Sequence, residues 1–147
     1  MQGRPILVPV DLGPDSVNVV QAAREIAAKL GSQVVLLYVY TLPRFGYPGM
    51  APALLPDLNQ EIVAAAERGA GQFAVQMQLE IMVRPGEPAD VILAEIERMK
   101  PSLVVMGTHG RRGVARWLLG SVAERVLRRS PVPVMTVGPT AGAATAA

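Results

Sequence analysis

Cysteine is absent from the 147 residues, which rules out a disulfide frame and a thiolate metal site and leaves a reducing compartment permitted. Histidine occurs once, at His109, so metal cages and histidine-based triads have no partners to draw on. No apolar stretch approaches the roughly 18 residues of a membrane span. The segment from Met1 to Asp11 lacks a secretory core and leads directly into a strand-like pattern, so a cytoplasmic protein without a membrane partner is expected. Aromatic residues make up only 4% while half of the chain is apolar. The interior must therefore be built from Val, Leu, Ile, Ala and Met, as in sheets covered by helices. This length suits one domain, spanning 1–138, that buries about two thirds of its unfolded surface.

A formal charge of +2 hides an uneven distribution. Arg111, Arg112, Arg116, Arg125, Arg128 and Arg129 all lie between Gly107 and Ser130, against one acid, Glu124. Nucleic-acid binding wants a broader basic face with interleaved aromatics, and only Trp117 is near, so neither DNA nor RNA is the expected partner. A few arginines at one loop serve a mononucleotide equally well.

Short apolar runs alternate with amphipathic stretches along the chain. Pro5 to Asp11 reads as a buried first strand ended by Gly13-Pro14, with Pro9 a mild objection. Asp15 or Ser16 then caps a helix in which Val17, Val20, Ala23, Ile26, Ala27 and Leu30 recur at helical spacing, and Gly31 closes it. Gln33 to Tyr40 is a second buried strand, so the two are parallel with a right-handed crossover. Segment 41–56, with four prolines and two glycines, is a loop excursion. Asp57, with Gln60 in the capping-box position, caps a helix to about Met77. A strand from Leu79 to Arg84 follows, then a turn at Pro85-Gly86 and a helix from Glu87 to Lys100 with Ile92, Ile96 and Met99 on one face. A strand from Leu103 to Met106, a helix from Ser121 to Arg129 and a strand from Val132 to Val137 complete the pattern, and a disordered tail is expected over 139–147. This alternation predicts an α/β, Rossmann-like fold: one doubly wound five-stranded parallel sheet in the order 3-2-1-4-5, with helices on both faces. Ligands of such sheets bind beyond the carboxyl ends of the strands, where the connections diverge. Here that point lies between strands one and four, which sets Asp11 beside Gly107.

Residues 104–121 are the most informative stretch: Val-Val-Met-Gly-Thr-His-Gly-Arg-Arg-Gly-Val-Ala-Arg-Trp-Leu-Leu-Gly-Ser breaks from a strand into glycines and arginines and restarts as a helix. Gly107, Gly110, Gly120 and Ser121 form the spacing G-x-x-G-x9-G-S. Without a Cβ, the glycine backbone can approach an anion closely, and the helix N-terminus adds unpaired N–H groups and a positive dipole end. Arg111 and Arg112 follow where guanidinium forks suit phosphate oxygens, and His109 is a loop side chain near phosphate. Trp117 is expected to pack the loop onto the domain rather than stack on a base, and it doubles as a fluorescent reporter. Ser121 and Glu124 have the spacing of a capping box, leaving the Ser121 hydroxyl to alternate between cap and ligand while the N–H groups of Ser121 and Val122 meet phosphate.

The flanks, Ser-Leu-Val-Val-Met-Gly-Thr-His-Gly before and Val-Ala-Glu-Arg-Val-Leu-Arg-Arg-Ser-Pro-Val-Pro-Val after, resemble the ATP-binding branch of the universal stress protein family. The resemblance covers the chain apart from 41–56 and the tail. It implies a fold of the adenine nucleotide alpha hydrolase type and ATP as ligand, with Mg or Mn bridging phosphate oxygens. By the same resemblance Asp11 sits at the adenosine end, Val39 contacts adenine, and the backbone about Pro9 and Val10 borders the base. Gly107, Gly110, Gly120 and Ser121 hold ribose and phosphates, and Met106, Thr108, His109, Arg111, Arg112 and Val122 complete the nucleotide-binding set. One departure is visible: the common Val-Asp-x-Ser opening reads Val-Asp-Leu-Gly, which removes a hydroxyl near Asp11.

Binding is expected rather than catalysis. There is no G-x-x-x-x-G-K-[ST] loop, neither Lys29 nor Lys100 lies near the phosphate loop, and no carboxylate within that loop is placed to position water. The leading reading is an ATP-binding stress-response regulator acting on an unidentified downstream protein. A slow metal-dependent ATPase or phosphate-transferring protein is the alternative; a dimeric adaptor that binds no nucleotide is the third, and the intact glycines speak against it. The resemblance further implies a homodimer in which the last strands, Val132 to Val137, meet antiparallel. The odd residues from 131 to 137 point to one edge, and Pro131 and Pro133 make that edge a poor template by removing two donors.

Overall fold

A computed structural model describes residues 3–108 and 119–139. Expectations for His109, Gly110, Arg111, Arg112, Trp117 and the tail from 140 lie outside these residues. The described strands are β1 (Ile6–Val10), β2 (Val34–Tyr40), β3 (Ile81–Pro85), β4 (Leu103–Gly107) and β5 (Val134–Val137). They alternate with α1 (Ser16–Leu30), α2 (Leu55–Met77), α3 (Pro88–Met99) and α4 (Ser121–Arg129). Every strand pair is parallel and the order is β3-β2-β1-β4-β5, as the alternation predicts.

Each strand divides its side chains between two cores because successive residues point to opposite faces. Ile6, Val8 and Val10 join Leu36 and Val105 under α1 and α2, where Val20, Ala23 and Phe73 pack. Leu7 joins Leu37, Val104 and Met106 under α3 and α4, where Ile92, Ile96 and Val126 pack. Ile6, Leu7, Leu36, Leu37 and Ile96 are fully buried, each contributing about 2 kcal/mol of transfer free energy. Both faces of β1 are sealed, which is why its sequence is continuously apolar rather than alternating.

Element ends differ from expectation where local chemistry finds another partner. Asp15 takes the α1 cap position without a side-chain cap bond, and Ser16 is buried in the first turn. Leu30 is 57% exposed; Val19 supplies the buried contact instead. The excursion after β2 ends early, because Pro52–Leu54 form a 3-10 turn that feeds α2 at Leu55. Pro56 then occupies the first turn, where a missing N–H costs nothing, and Asp57 sits inside the helix rather than capping it. Gln78 closes α2 in the left-handed region at φ 55°, delaying β3 to Ile81.

The outer edge of β5 also differs. Val104 donates to Pro133 O and Thr108 donates to Val137 O, so the odd residues of β5 face β4. Pro133 therefore opens the inner ladder, and the free edge carries the backbone groups of Val134 and Thr136 without a proline gap.

Glycine has contrasting meanings at two sites. Gly71 lies in α2 with open space where a Cβ would stand, so Gly71→Ala is expected to stabilise the fold by about 0.5–1 kcal/mol. Gly86 has φ +139°, and a Cβ there would lie 2.6 Å from Val91 Cγ2; Gly86→Ala is expected to cost about 1–3 kcal/mol. Thermal unfolding checks both: a rise of about 1–4 °C for the first and a fall for the second.

Candidate functional site

Pro9 shapes the site through a donor it lacks. Ile6 donates to Gln33 O on the β2 side, and Pro5 O accepts from Ser102 on the β4 side, so by alternation Leu7 and Pro9 face β4. The β1–β2 register runs through Val10 and Tyr38, whereas the β1–β4 register stops at Leu7 and Val104. Pro9 has no N–H to offer β4, so the ladder loses its next β1 donor there. A cavity of about 790 Å³ lies beyond the carboxyl ends of the two strands.

Asp11 stands at the β1 end of this cavity. Its Oδ1 accepts from Gly13 N at 2.8 Å and from the buried Ser16 hydroxyl at 2.9 Å. The hydroxyl that Val-Asp-Leu-Gly removes from this corner is thus supplied five residues later by Ser16. Between them Leu12 adopts φ 62°, and its Cδ1 lies 3.4 Å from where a Cβ on Gly69 of α2 would stand. The turn carrying Asp11 is held against the small-residue face of α2, whose Ala65, Ala66 and Gly69 form one wall.

The opposite wall is the entry to α4. Gly120 N donates to Thr108 O at 2.6 Å, joining the residue before α4 to the residue after β4. Gly120, not Ser121, is the N-cap: it is extended at φ −63° and ψ 154°, has no side-chain cap bond, and accepts at its carbonyl from Glu124 N at 2.9 Å. The expected capping box is therefore absent. Glu124 pairs instead with Arg128 at 2.8 Å, and Ser121 becomes the first helical residue, its hydroxyl released from capping. The first-turn N–H groups of α4 are left uncovered by any cap side chain, and they point along the helix axis toward its N-terminus.

α3 begins differently. Glu87 caps it, accepting from Ala89 N at 3.3 Å and Asp90 N at 2.9 Å. Arg125 of α4 reaches Glu87 Oε2 at 2.9 Å and Asp90 Oδ1 at 2.7 Å. Its guanidinium is held above the usual arginine range by the hydrogen bond to Asp90, then by the charge of Asp90, with Glu87 adding to this and burial acting the other way. Thr41 Oγ1 donates to Gly86 O at 3.2 Å and Gly86 N donates to Tyr40 O at 2.9 Å, which fastens the turn before α3 to the end of β2.

The described sequence-derived residues converge on this one cavity. Pro9, Val10, Asp11 and Val39 line it from β1 and β2; Met106, Gly107, Thr108, Gly120, Ser121 and Val122 line it from β4 and α4. Sequence reasoning missed Ser16, Tyr40, Thr41, Pro88 and the α2 wall. The run Ala64-Ala65-Ala66 followed by Gly69 was a signal of close approach in α2; nothing local marked Thr41 or Pro88.

The chain matches the universal stress protein family over residues 3–138. A universal stress protein of Methanocaldococcus jannaschii is 33% identical over 138 residues, covering 90% of this chain and 80% of that protein. Among solved structures, universal stress protein UspA of Lactobacillus plantarum superposes with a TM-score of 0.74 at 21% identity, covering 92% of this chain and 98% of the other. A universal stress protein solved in complex with cAMP superposes with a TM-score of 0.55 at 27% identity, covering 92% and 98%.

Removing the hydroxyl that supports Asp11 should be felt in stability. Ser16→Ala is expected to lower the unfolding free energy by about 1–2 kcal/mol, since it strips a buried donor from a carboxylate; urea denaturation with an unchanged slope is the check.

Proposed function

The chain belongs to the universal stress protein family, and from that premise we propose that it is a cytoplasmic ATP-binding regulator of the stress response, acting through a nucleotide-dependent surface rather than by catalysis. The observation that carries this reading is the uncapped start of α4 at Gly120, facing a cavity whose far end holds Asp11. A helix N-terminus without its own cap offers N–H donors and a positive dipole end to phosphate. At the other side Pro9, Val10 and Val39 form an apolar wall suited to a base. The relative solved with cAMP supports an adenine nucleotide as the ligand class.

Asp11, Val39 and the backbone about Pro9 and Val10 take the adenosine end. Gly107, Thr108, Gly120, Ser121 and Val122 take ribose and phosphates, with Met106 beneath them; His109, Gly110, Arg111 and Arg112 belong to the same proposal. Mg or Mn enters this proposal as a companion carried on phosphate oxygens; among the described residues no group of three His, Asp or Glu side chains gathers. Among those residues, no helix is long and apolar enough to cross a membrane.

Three experiments test this reading. Denaturing freshly purified protein should release an adenine nucleotide near one per chain, and ATP titration should change Trp117 fluorescence with matching heat in calorimetry. Gly120→Val should weaken ATP binding at least about tenfold, the scale of losing one or two charge-assisted hydrogen bonds. A parent protein that neither retains nor binds an adenine nucleotide overturns the assignment. Phosphate release that Gly120→Val abolishes would favour an ATPase instead.

We also propose a homodimer formed by antiparallel pairing of β5 edges. Support comes from the free edge, where Val134 and Thr136 present donors and acceptors uninterrupted by proline. Thr136→Pro deletes an outward donor while sparing the ladder to β4. In sedimentation velocity the parent should run as a dimer and Thr136→Pro as a monomer with unchanged far-UV circular dichroism; a parent that is wholly monomeric at micromolar concentration refutes the interface.

A further inference from the structure

Of the helix N-termini that border the cavity, those of α3 and α4 carry opposite electrostatics. α3 opens with its own carboxylate cap, Glu87, and a second carboxylate, Asp90, in its first turn. Pro88, between them, lines the cavity. α4 opens on Gly120 with no cap side chain. Left unbalanced, Glu87 and Asp90 would set two negative charges on either side of the lining residue Pro88 in a pocket read above as a polyanion site. One side chain meets both: Arg125, one turn beyond Ser121 on α4, through Nη1 to Glu87 and Nη2 to Asp90.

We infer that Arg125 is a positioning and charge-screening residue that ties the start of α4 to the start of α3, masks the two α3 carboxylates, and thereby sets the preference of the site for nucleotides carrying more phosphate charge. This rests on the nucleotide reading of the same cavity and adds to it a residue that the glycine pattern does not contain.

The pairs are partly exposed, with Arg125 39%, Glu87 48% and Asp90 64% open to solvent at their side chains. Ion pairs of that kind contribute little to folding. Their effect on a guest grows with the charge of that guest. For a separation on the order of 10 Å in a water-like dielectric, loss of one positive charge weakens binding of a ligand with about four negative charges roughly sevenfold at 10 mM salt and roughly twofold at 150 mM. An uncharged ligand is unaffected by that term.

The experiment is an affinity ladder of adenosine, AMP, ADP and ATP by calorimetry at 10 and 150 mM salt, on the parent, Arg125→Gln, Arg125→Lys and the double variant Arg125→Gln with Asp90→Asn. In Arg125→Gln the loss should rise with phosphate number and shrink with salt, leaving adenosine within a factor of about two. Arg125→Lys keeps the charge and should keep the parent's ladder; the double variant restores the net charge and should recover most of the ATP affinity. An equal loss at every rung, or a graded loss that the double variant fails to recover, assigns Arg125 a structural role alone and overturns the inference, as does an unchanged ladder in Arg125→Gln. A parent that binds no rung of the ladder sinks the nucleotide reading itself, a result distinct from any behaviour of the variants.

Discussion

The cavity depends on a hydrogen bond that the chain cannot make. β1 lies at the centre of the sheet, paired on both sides at its start, yet its pairing with β4 ends at Leu7 and Val104 while its pairing with β2 continues to Val10 and Tyr38. Pro9 faces β4 without a donor, so the missing rung follows from covalent chemistry rather than from an inserted residue. A proline in a central strand is ordinarily a weakness. Here it falls where connections leave for opposite faces of the sheet, at the topological switch point, and converts the end of a ladder into the floor of a pocket.

Around that floor the fold arranges polar groups with different degrees of completion. Asp11 is fixed by Gly13 N and by the buried Ser16 hydroxyl, and α3 is closed by Glu87. α4 begins on a glycine cap, which has no side chain to offer a bond. Since folded proteins satisfy most of their buried backbone donors, an uncovered helix start on a concave surface is where a bound anion gains most. Arg125 joins the start of α3 to α4 through ion pairs with Glu87 and Asp90, above a buried core of Ile92, Ile96, Ala123 and Val126.

The same economy governs the edge of the sheet. Pro133 precedes β5 and its carbonyl accepts from Val104, so its missing donor sits where the inner ladder starts and leaves the outer edge continuous. Had the strand been shifted by one residue, the prolines would have blunted that edge, as exposed edges commonly are. Membership of the universal stress protein family and the open α4 terminus thus come with an edge suited to self-association.

Periodicity and composition by themselves determined the alternation of five strands with four helices and hence a doubly wound parallel sheet; the order β3-β2-β1-β4-β5, once taken, sets Asp11 beside Gly107 across nearly a hundred residues, which spacing alone would not have required. These are legible because apolar runs and amphipathic spacing are local, and handedness rules leave few ways to connect them. The glycine pattern likewise brought Gly107, Gly120 and Ser121 to one place. Tertiary structure alone decided that Ser16 supports Asp11, that Gly120 rather than Ser121 caps α4, that Glu124 turns to Arg128, and which edge of β5 the prolines face. Each is a choice among partners of similar local merit, settled by whichever donor or acceptor the packed helices bring within hydrogen-bond reach. The role of Pro9 belongs here too: a missing N–H has no consequence until a neighbouring strand stands opposite to need it.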